Sequence, residues 1–210
     1  MKRSGIILLL FSFLPCFFCV SAFSDTGFDK SSYTGKEMEL RISMRKFFSD
    51  NLTWERIYIL EALSGSLDVD KAKDRVNKNQ ENLGAALKPY LGDETGSQLA
   101  DILKQYVQLL TDYINSVKSG SDKSFVTGKI HDNIDSEADL LSRANLSWPK
   151  ADLAVLLKKY SDLLMSEIDM QNTKMGSIDQ VVFDATSDQA MAIADTFSSG
   201  IMQGYPGKFW

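Results

Sequence analysis

LADILKQYVQLLTDYI (residues 99–114) and LAVLLKKYSDLLMSEI (residues 153–168) are one segment written twice, with eight of the sixteen positions identical. In each copy the leucines, a mid-segment tyrosine (Tyr106 or Tyr160) and a closing isoleucine recur at steps of three and four, the spacing of one face of a helix. The same offset carries Asn79 onto Asn133 and Leu87 onto Leu141, so the segment preceding each copy repeats as well. A unit of two helices, duplicated, is therefore expected to dominate the fold.

Working outward, no stretch alternates apolar and polar residues long enough for a strand, and helices are expected near 37–65, 69–90, 94–118, 122–144, 149–172 and 176–203. Their separators are ordinary punctuation: Ser64-Gly65-Ser66, Leu91-Gly92-Asp93, Ser119-Gly120-Ser121, Asn145-Leu146-Ser147 and Met175-Gly176. Asp68 is placed as the N-cap of the second helix, and Pro149 in the first turn of the fifth, preceded by Ser147 or Trp148 at the cap. Short connections make successive helices antiparallel neighbours. The expected fold is all-α, an antiparallel four-helix-type bundle of about six helices containing the duplicated hairpin, with the first and sixth helices closing it.

The 210 residues are 44% apolar and 24% charged, a globular composition. Lys2 and Arg3 precede an apolar run from Ile6 to Val20, and Val20-Ser21-Ala22 offers a cleavage site, so residues 1–22 read as a signal peptide. The run is short for a membrane span, and Pro15 interrupts it. Residues 23–36 (FSDTGFDKSSYTGK) have no helical period and read as a flexible arm, leaving 37–210 as one helical-bundle domain. Cleavage after Ala22 removes both cysteines and leaves 21 basic against 28 acidic residues, a formal charge of −7. Thiol chemistry is thereby excluded, and that charge repels nucleic acid and anionic lipid head groups. The mature chain is expected to be exported to the periplasm or beyond, without stable membrane insertion.

Polar residues on otherwise apolar stripes point to a site. The first helix runs Leu40, Met44, Phe47, Phe48, Asn51, Trp54, Tyr58 and Ala62, with Glu55 at the stripe's edge, and the sixth runs Phe183, Ser187, Met191, Ala194, Phe197 and Ile201. Asn51, Asn79, Tyr106, Asn133, Tyr160 and Ser187 are expected to approach one another near the bundle's middle. Burying a hydroxyl or amide without a partner costs about 1–3 kcal/mol, so such groups bond one another or hold a ligand. Both readings stand on the sequence: polar residues that fix helix register, or a small-molecule or ion site between facing helices. Glu55 and Arg56 are further expected to form an ion pair with Asp184 between the terminal helices.

These segments resemble a poorly characterised prokaryotic helical-bundle family. Residues 44–56 (MRKFFSDNLTWER) are similar to its W-x-x-H-x-x-W-T-R opening helix. Asn79-Gln80, Leu83-Gly84 and Leu87-Lys88-Pro89-Tyr90 resemble its N-Q-x-x-I-G-x-x-I-K-P-Y/F segment. Trp148-Pro149, Phe183-Asp184, the stretch from Met191 to Asp195, Gly200-Ile201 and the tail from Tyr205 to Phe209 resemble the rest, so the likeness spans about residues 40–209. Members often carry His where this chain has Asn51, Tyr106, Tyr160 and, less regularly, Ser187. Four inward imidazoles would suggest a metal or proton-handling centre, and this chain has none of them.

Other signals carry less. His131 with Asp135 makes at most two metal ligands and reads as a solvated or capping side chain, and no Glu-x-x-His accompanies it for a di-iron centre. Asn51-Leu52-Thr53 and Asn145-Leu146-Ser147 match the glycosylation pattern. The methionines are spaced as core filler. No cofactor or metal is expected. The first functional reading is a non-enzymatic accessory or structural subunit of a cell-envelope assembly, with other envelope proteins as partners. The second is a bundle that binds a small molecule or ion in its polar interior. The third, an enzyme using Asp184, Glu55 and the two tyrosines, would need large pKa shifts.

Overall fold

The structure, a computed structural model, describes residues 33–173 and 176–210. The signal peptide and most of the arm lie outside the described residues. Six helices follow one another: α1 (Gly35–Ser64), α2 (Val69–Leu91), α3 (Asp93–Ser119), α4 (Ser124–Ala144), α5 (Lys150–Asn172) and α6 (Gly176–Gly204), then a 3₁₀ turn at Pro206–Lys208. No strand occurs among the described residues. None of the described helices is long and apolar enough to cross a membrane.

Helix α1 starts two residues before its expected position because Thr34 and Glu37 form a capping box: the Thr34 backbone N–H donates to Glu37 Oε2 at 2.7 Å, and the Glu37 N–H donates to Thr34 Oγ1 at 3.3 Å. Gly35 and Lys36, expected in the arm, therefore belong to the helix. α1 and α3 end on Gly65 and Gly120 at φ 71° and 68°, the left-handed conformation that a Cβ disfavours. Asp68 does not cap α2 through its side chain; it pairs with Lys71 at 2.5 Å. Pro149 sits at the N-cap of α5, one position before the helix.

Each helix packs on the next, and α6 returns to pack on α1, so the six close into a ring of antiparallel neighbours. The duplicated hairpin is α2–α3 followed by α4–α5, with α1 and α6 completing the circle. Lighter contacts join α1, α3 and α5 to one another across the middle. The expected antiparallel bundle of about six helices is thus present, closed as a six-membered ring with its odd-numbered helices inward.

The two hairpins differ where they touch. In α2–α3 the Gly84 backbone lies against Gly96 and Ala100, and a Cβ on Gly84 would come 2.8 Å from the Ala100 Cβ; the repeat mate of Gly84 is Ala138. Replacing Gly84 by Ala is expected to push α2 and α3 apart at a cost of about 1–3 kcal/mol, read as a lower urea midpoint. An unchanged midpoint would mean that the close approach is not required.

The ring is buttressed at the end where α1 begins and α6 closes. Asp195 of α6 accepts from Arg41 at 3.1 Å and from Arg45 at 2.8 and 2.6 Å on α1. At the carboxyl terminus Phe209 stacks on Tyr90 at 6.2 Å between ring centres, Tyr205 donates to the Ala144 carbonyl at 3.0 Å, and Lys36 Nζ donates to the Trp210 carbonyl at 2.8 Å.

Candidate functional site

All six helices contribute to one interior cavity of about 50 Å3, traced by the centre of a water-sized sphere. A space of this kind holds a few waters or a small guest. The duplication organises the wall: Leu103 and Leu157, Tyr106 and Tyr160, Gln80 and Ile134, Leu83 and Glu137 are four pairs of repeat-equivalent positions, and all eight side chains line it. α1 adds Asn51 and Glu55 beneath Phe47 and Phe48, α5 adds Ser161, and α6 closes the space with Ile193. The lining side chains are buried except Phe47 and Leu103, which are half-buried.

One side of the cavity is a connected polar chain. Gln80 Nε2 donates to Asn51 Oδ1 at 2.9 Å, Asn51 lies close enough to Glu55 to lower its pKa, and the Tyr160 hydroxyl donates to Glu55 Oε2 at 2.5 Å. Burial raises the Glu55 carboxyl to about 7; the bonds from Tyr160 and Asn51 pull it back, and the nearby charge of Glu167 adds to the rise. Burial is also the first cause of the raised pKa of Tyr160, followed by the charge of Glu55.

The other side is open-handed. Glu137 is 5% exposed, and burial alone raises its carboxyl to about 8; no protein group hydrogen-bonds it. The hydroxyls of Tyr106 and Ser161, on residues 8% and 1% exposed, are close enough for Ser161 to influence Tyr106, yet neither finds a hydrogen-bond partner in the protein. The Tyr106 pKa is raised by burial first and the charge of Glu55 second. Two orphan hydroxyls and an unpartnered carboxyl facing one space are a donor-and-acceptor set with nothing of the protein's own to bind.

Of the six residues expected to converge, Asn51, Tyr106 and Tyr160 line the cavity, whereas Asn79, Asn133 and Ser187 do not. Asn79 accepts from Arg75 on its own helix, and Asn133 Nδ2 donates to the Ile102 carbonyl at 3.2 Å and to Gln105 Oε1 at 3.3 Å on α3. Ser187 is half-buried outside the wall. The inward residue of α2 is Gln80, one step on from Asn79, and the inward polar residue of α4 is Glu137. Gln80 falls on the stripe Val76, Gln80, Leu83, Leu87, and Glu137 on the stripe Ile130, Ile134, Glu137, Leu141. The signal for both was therefore present at steps of four, three and four.

The expected ion pair among Glu55, Arg56 and Asp184 does not form. Successive residues on a helix point about 100° apart. Glu55 faces the cavity, while Arg56 turns to α5, pairs with Glu167 and lies 4.4 Å over the Phe183 ring. Asp184 is exposed. His131 meets Asp162 of α5 at 2.8 Å rather than capping a helix, and no group of three or more metal-ligating side chains occurs among the described residues. Both asparagines of the glycosylation patterns are buried; Asn145 donates to the Gly200 carbonyl at 2.8 Å.

No family model matches the chain, and neither a curated protein nor a solved structure is significantly similar to it.

Proposed function

We propose that this protein is an exported, non-enzymatic bundle that holds a small ligand in its interior. The observation that carries the reading is the cavity itself: a water-scale space bounded by all six helices, lined by Glu137 and by the Tyr106 and Ser161 hydroxyls, which find no hydrogen-bond partner among the described residues. Each hydroxyl left unpaired costs on the order of 1–3 kcal/mol, and an occupant that bonds them offsets that cost. Glu55 has a raised pKa, but Tyr160 engages it and no His, Lys or Arg stands beside it on the wall. That lining favours retention over conversion.

Two further points support the reading. Three of the four positions at which the resembling family often has His, Asn51, Tyr106 and Tyr160, belong to this wall, so kinship would place an inward site at the same spot with different chemistry. The alternative, an accessory subunit of an envelope assembly, draws on the signal segment alone and gains no observation from the fold.

A panel of small neutral, anionic and cationic solutes, followed by thermal shift, tests the binding reading. At least one class is expected to raise the melting temperature of the protein and to lose its effect in Ser161→Val, which fills the space with the residue found at the repeat-equivalent Val107. If every solute acts alike on both proteins, and native mass spectrometry of material purified from its own compartment shows a bare chain, the reading fails.

A further inference from the structure

We propose that the occupant is a small aliphatic ammonium ion, a protonated primary amine of about two to four heavy atoms, whose charged head is held by Glu137 with the Tyr106 and Ser161 oxygens and whose alkyl part lies on the leucines of the repeat. This inference rests on the binding reading and assigns its ligand class. Three features of the wall select that chemistry.

The first is charge. Two carboxyls, one from α1 and one from α4, face the same small space, and none of the lining side chains is Lys, Arg or His. A cation that takes the place of a carboxyl proton finds a counter-charge on this wall, whereas an anion finds no Lys, Arg or His to pair with. The second is hydrogen bonding. An ammonium head has three N–H donors and no acceptor. The wall offers three acceptors without a protein partner: the Glu137 carboxylate and the oxygens of Tyr106 and Ser161. The third is the remainder of the lining. Leu83, Leu103, Leu157, Ile134 and Ile193 are hydrocarbon, and the Phe47 and Phe48 rings close the α1 side. Hard divalent cations take about six to eight oxygen ligands. A wall of this composition suits an ion that is charged at one end and apolar at the other, and aromatic rings add to the attraction for ammonium.

Occupancy is linked to protons. The titratable groups facing the space are Glu55 on α1, Tyr106 on α3, Glu137 on α4 and Tyr160 on α5; α2 and α6 present Gln80 and Ile193, and Glu167 stands behind Glu55 in its pair with Arg56. Without an occupant burial keeps Glu137 largely protonated at neutrality and Glu55 about half so, and an ammonium that binds at the Glu137 carboxylate releases that proton to solvent. An alkylammonium remains protonated to about pH 10, so the carboxyls alone set the pH dependence.

Ethylammonium chloride is the probe, titrated calorimetrically into the purified protein against ethanol, sodium acetate and potassium chloride. Ethylammonium is expected to bind at about pH 8, to bind about tenfold or more weakly at about pH 5.5, and to lose about tenfold or more in Glu137→Gln, with a smaller loss in Tyr106→Phe. Ethanol, acetate or potassium matching ethylammonium, or Glu137→Gln binding as well as the native protein, overturns the ligand class. If that other solute also loses its hold in Ser161→Val, the cavity still binds and only the class falls. If no solute binds and Ser161→Val is indistinguishable from the native chain, the class and the binding reading fall together.

Discussion

Glu137→Gln is expected to be markedly more stable than the native chain at about pH 8, with the difference shrinking as the pH falls and gone below about pH 4.5. The sign follows from proton counting. Burial raises the Glu137 carboxyl from 4.5 to about 8, so between those values the folded state binds a proton that the unfolded chain has released. Stability then falls as pH rises through that window, at up to about 1.4 kcal/mol per pH unit, so that the accumulated loss is on the order of 3–5 kcal/mol. Glutamine keeps the neutral form at every pH and removes that slope. Glu55→Gln is expected to act in the same direction over the narrower window from 4.5 to about 7, and its amide oxygen can still accept from Tyr160. Glu81, Asp122 and Asp139, whose pKa values are lowered by their partners, work in the opposite direction at the acid end; their contribution is lost as pH falls through their folded values. Urea denaturation of the native and variant chains at intervals of one pH unit measures the slopes. Parallel curves for the native protein and Glu137→Gln would show that the carboxyl is not buried as described.

Trp148→Ala is expected to cost about 3–5 kcal/mol, the range for emptying a large buried aromatic site, and for a domain of this size to lower the melting temperature by roughly 10 °C. Trp148 ends the α4–α5 connection and is 1% exposed. Its indole N–H donates to the Thr196 carbonyl at 3.1 Å, and its ring meets Phe197 at 5.3 Å between centres. Phe197 in turn meets Phe48, a cavity residue, at 5.5 Å. The loop is thus pinned to α6 and, through two rings, to the wall of the site. α6 accepts the indole because residue 200 is glycine: a Cβ there would come within 2.6 Å of Trp148 Cε2. Gly200→Ala is therefore expected to destabilise through overpacking, by about 1–3 kcal/mol. The double variant is expected to lose less than the sum of its parts, because removing the ring removes the clash. Additive losses by thermal denaturation would separate the two residues and contradict the contact.

The fold was legible because its pattern is redundant. The repeat, the glycine punctuation and the three-and-four spacing each identify the same helices, and the observed ends differ from the expected ones by no more than two residues. The start of α1 lay in plain view in Thr34-Gly35-Lys36-Glu37, a capping-box sequence assigned to the arm. Closure by the first and sixth helices was expected; that the odd-numbered helices lie inward was less legible, because periodicity identifies a buried face without saying which neighbour it meets.

The site was half legible for a related reason. Asn51, Tyr106 and Tyr160 sit centrally on their stripes, whereas Asn79 and Asn133 drew attention by matching each other in the repeat. Identity between copies did not mark the cavity: Asn79 bonds Arg75 on its own helix and Asn133 bonds α3. The cavity is marked by difference: Leu83 against Glu137, Ile134 against Gln80, and Val107 against Ser161 are repeat-equivalent pairs in which one copy became polar. Glu55 and Arg56 were assigned to one ion pair because they are adjacent in sequence, but adjacent helical residues face different neighbours.

Carboxyl-carbon NMR titration of the glutamates, with and without ethylammonium, tests most directly whether the interior is an acidic site that holds a small cation. Glu55 and Glu137, identified through their glutamine variants, are expected to titrate near 7 and 8 in the free protein and to shift to lower pH when ethylammonium is present. Midpoints near the ordinary value of 4.5, or raised midpoints that do not move with ethylammonium, would contradict the account.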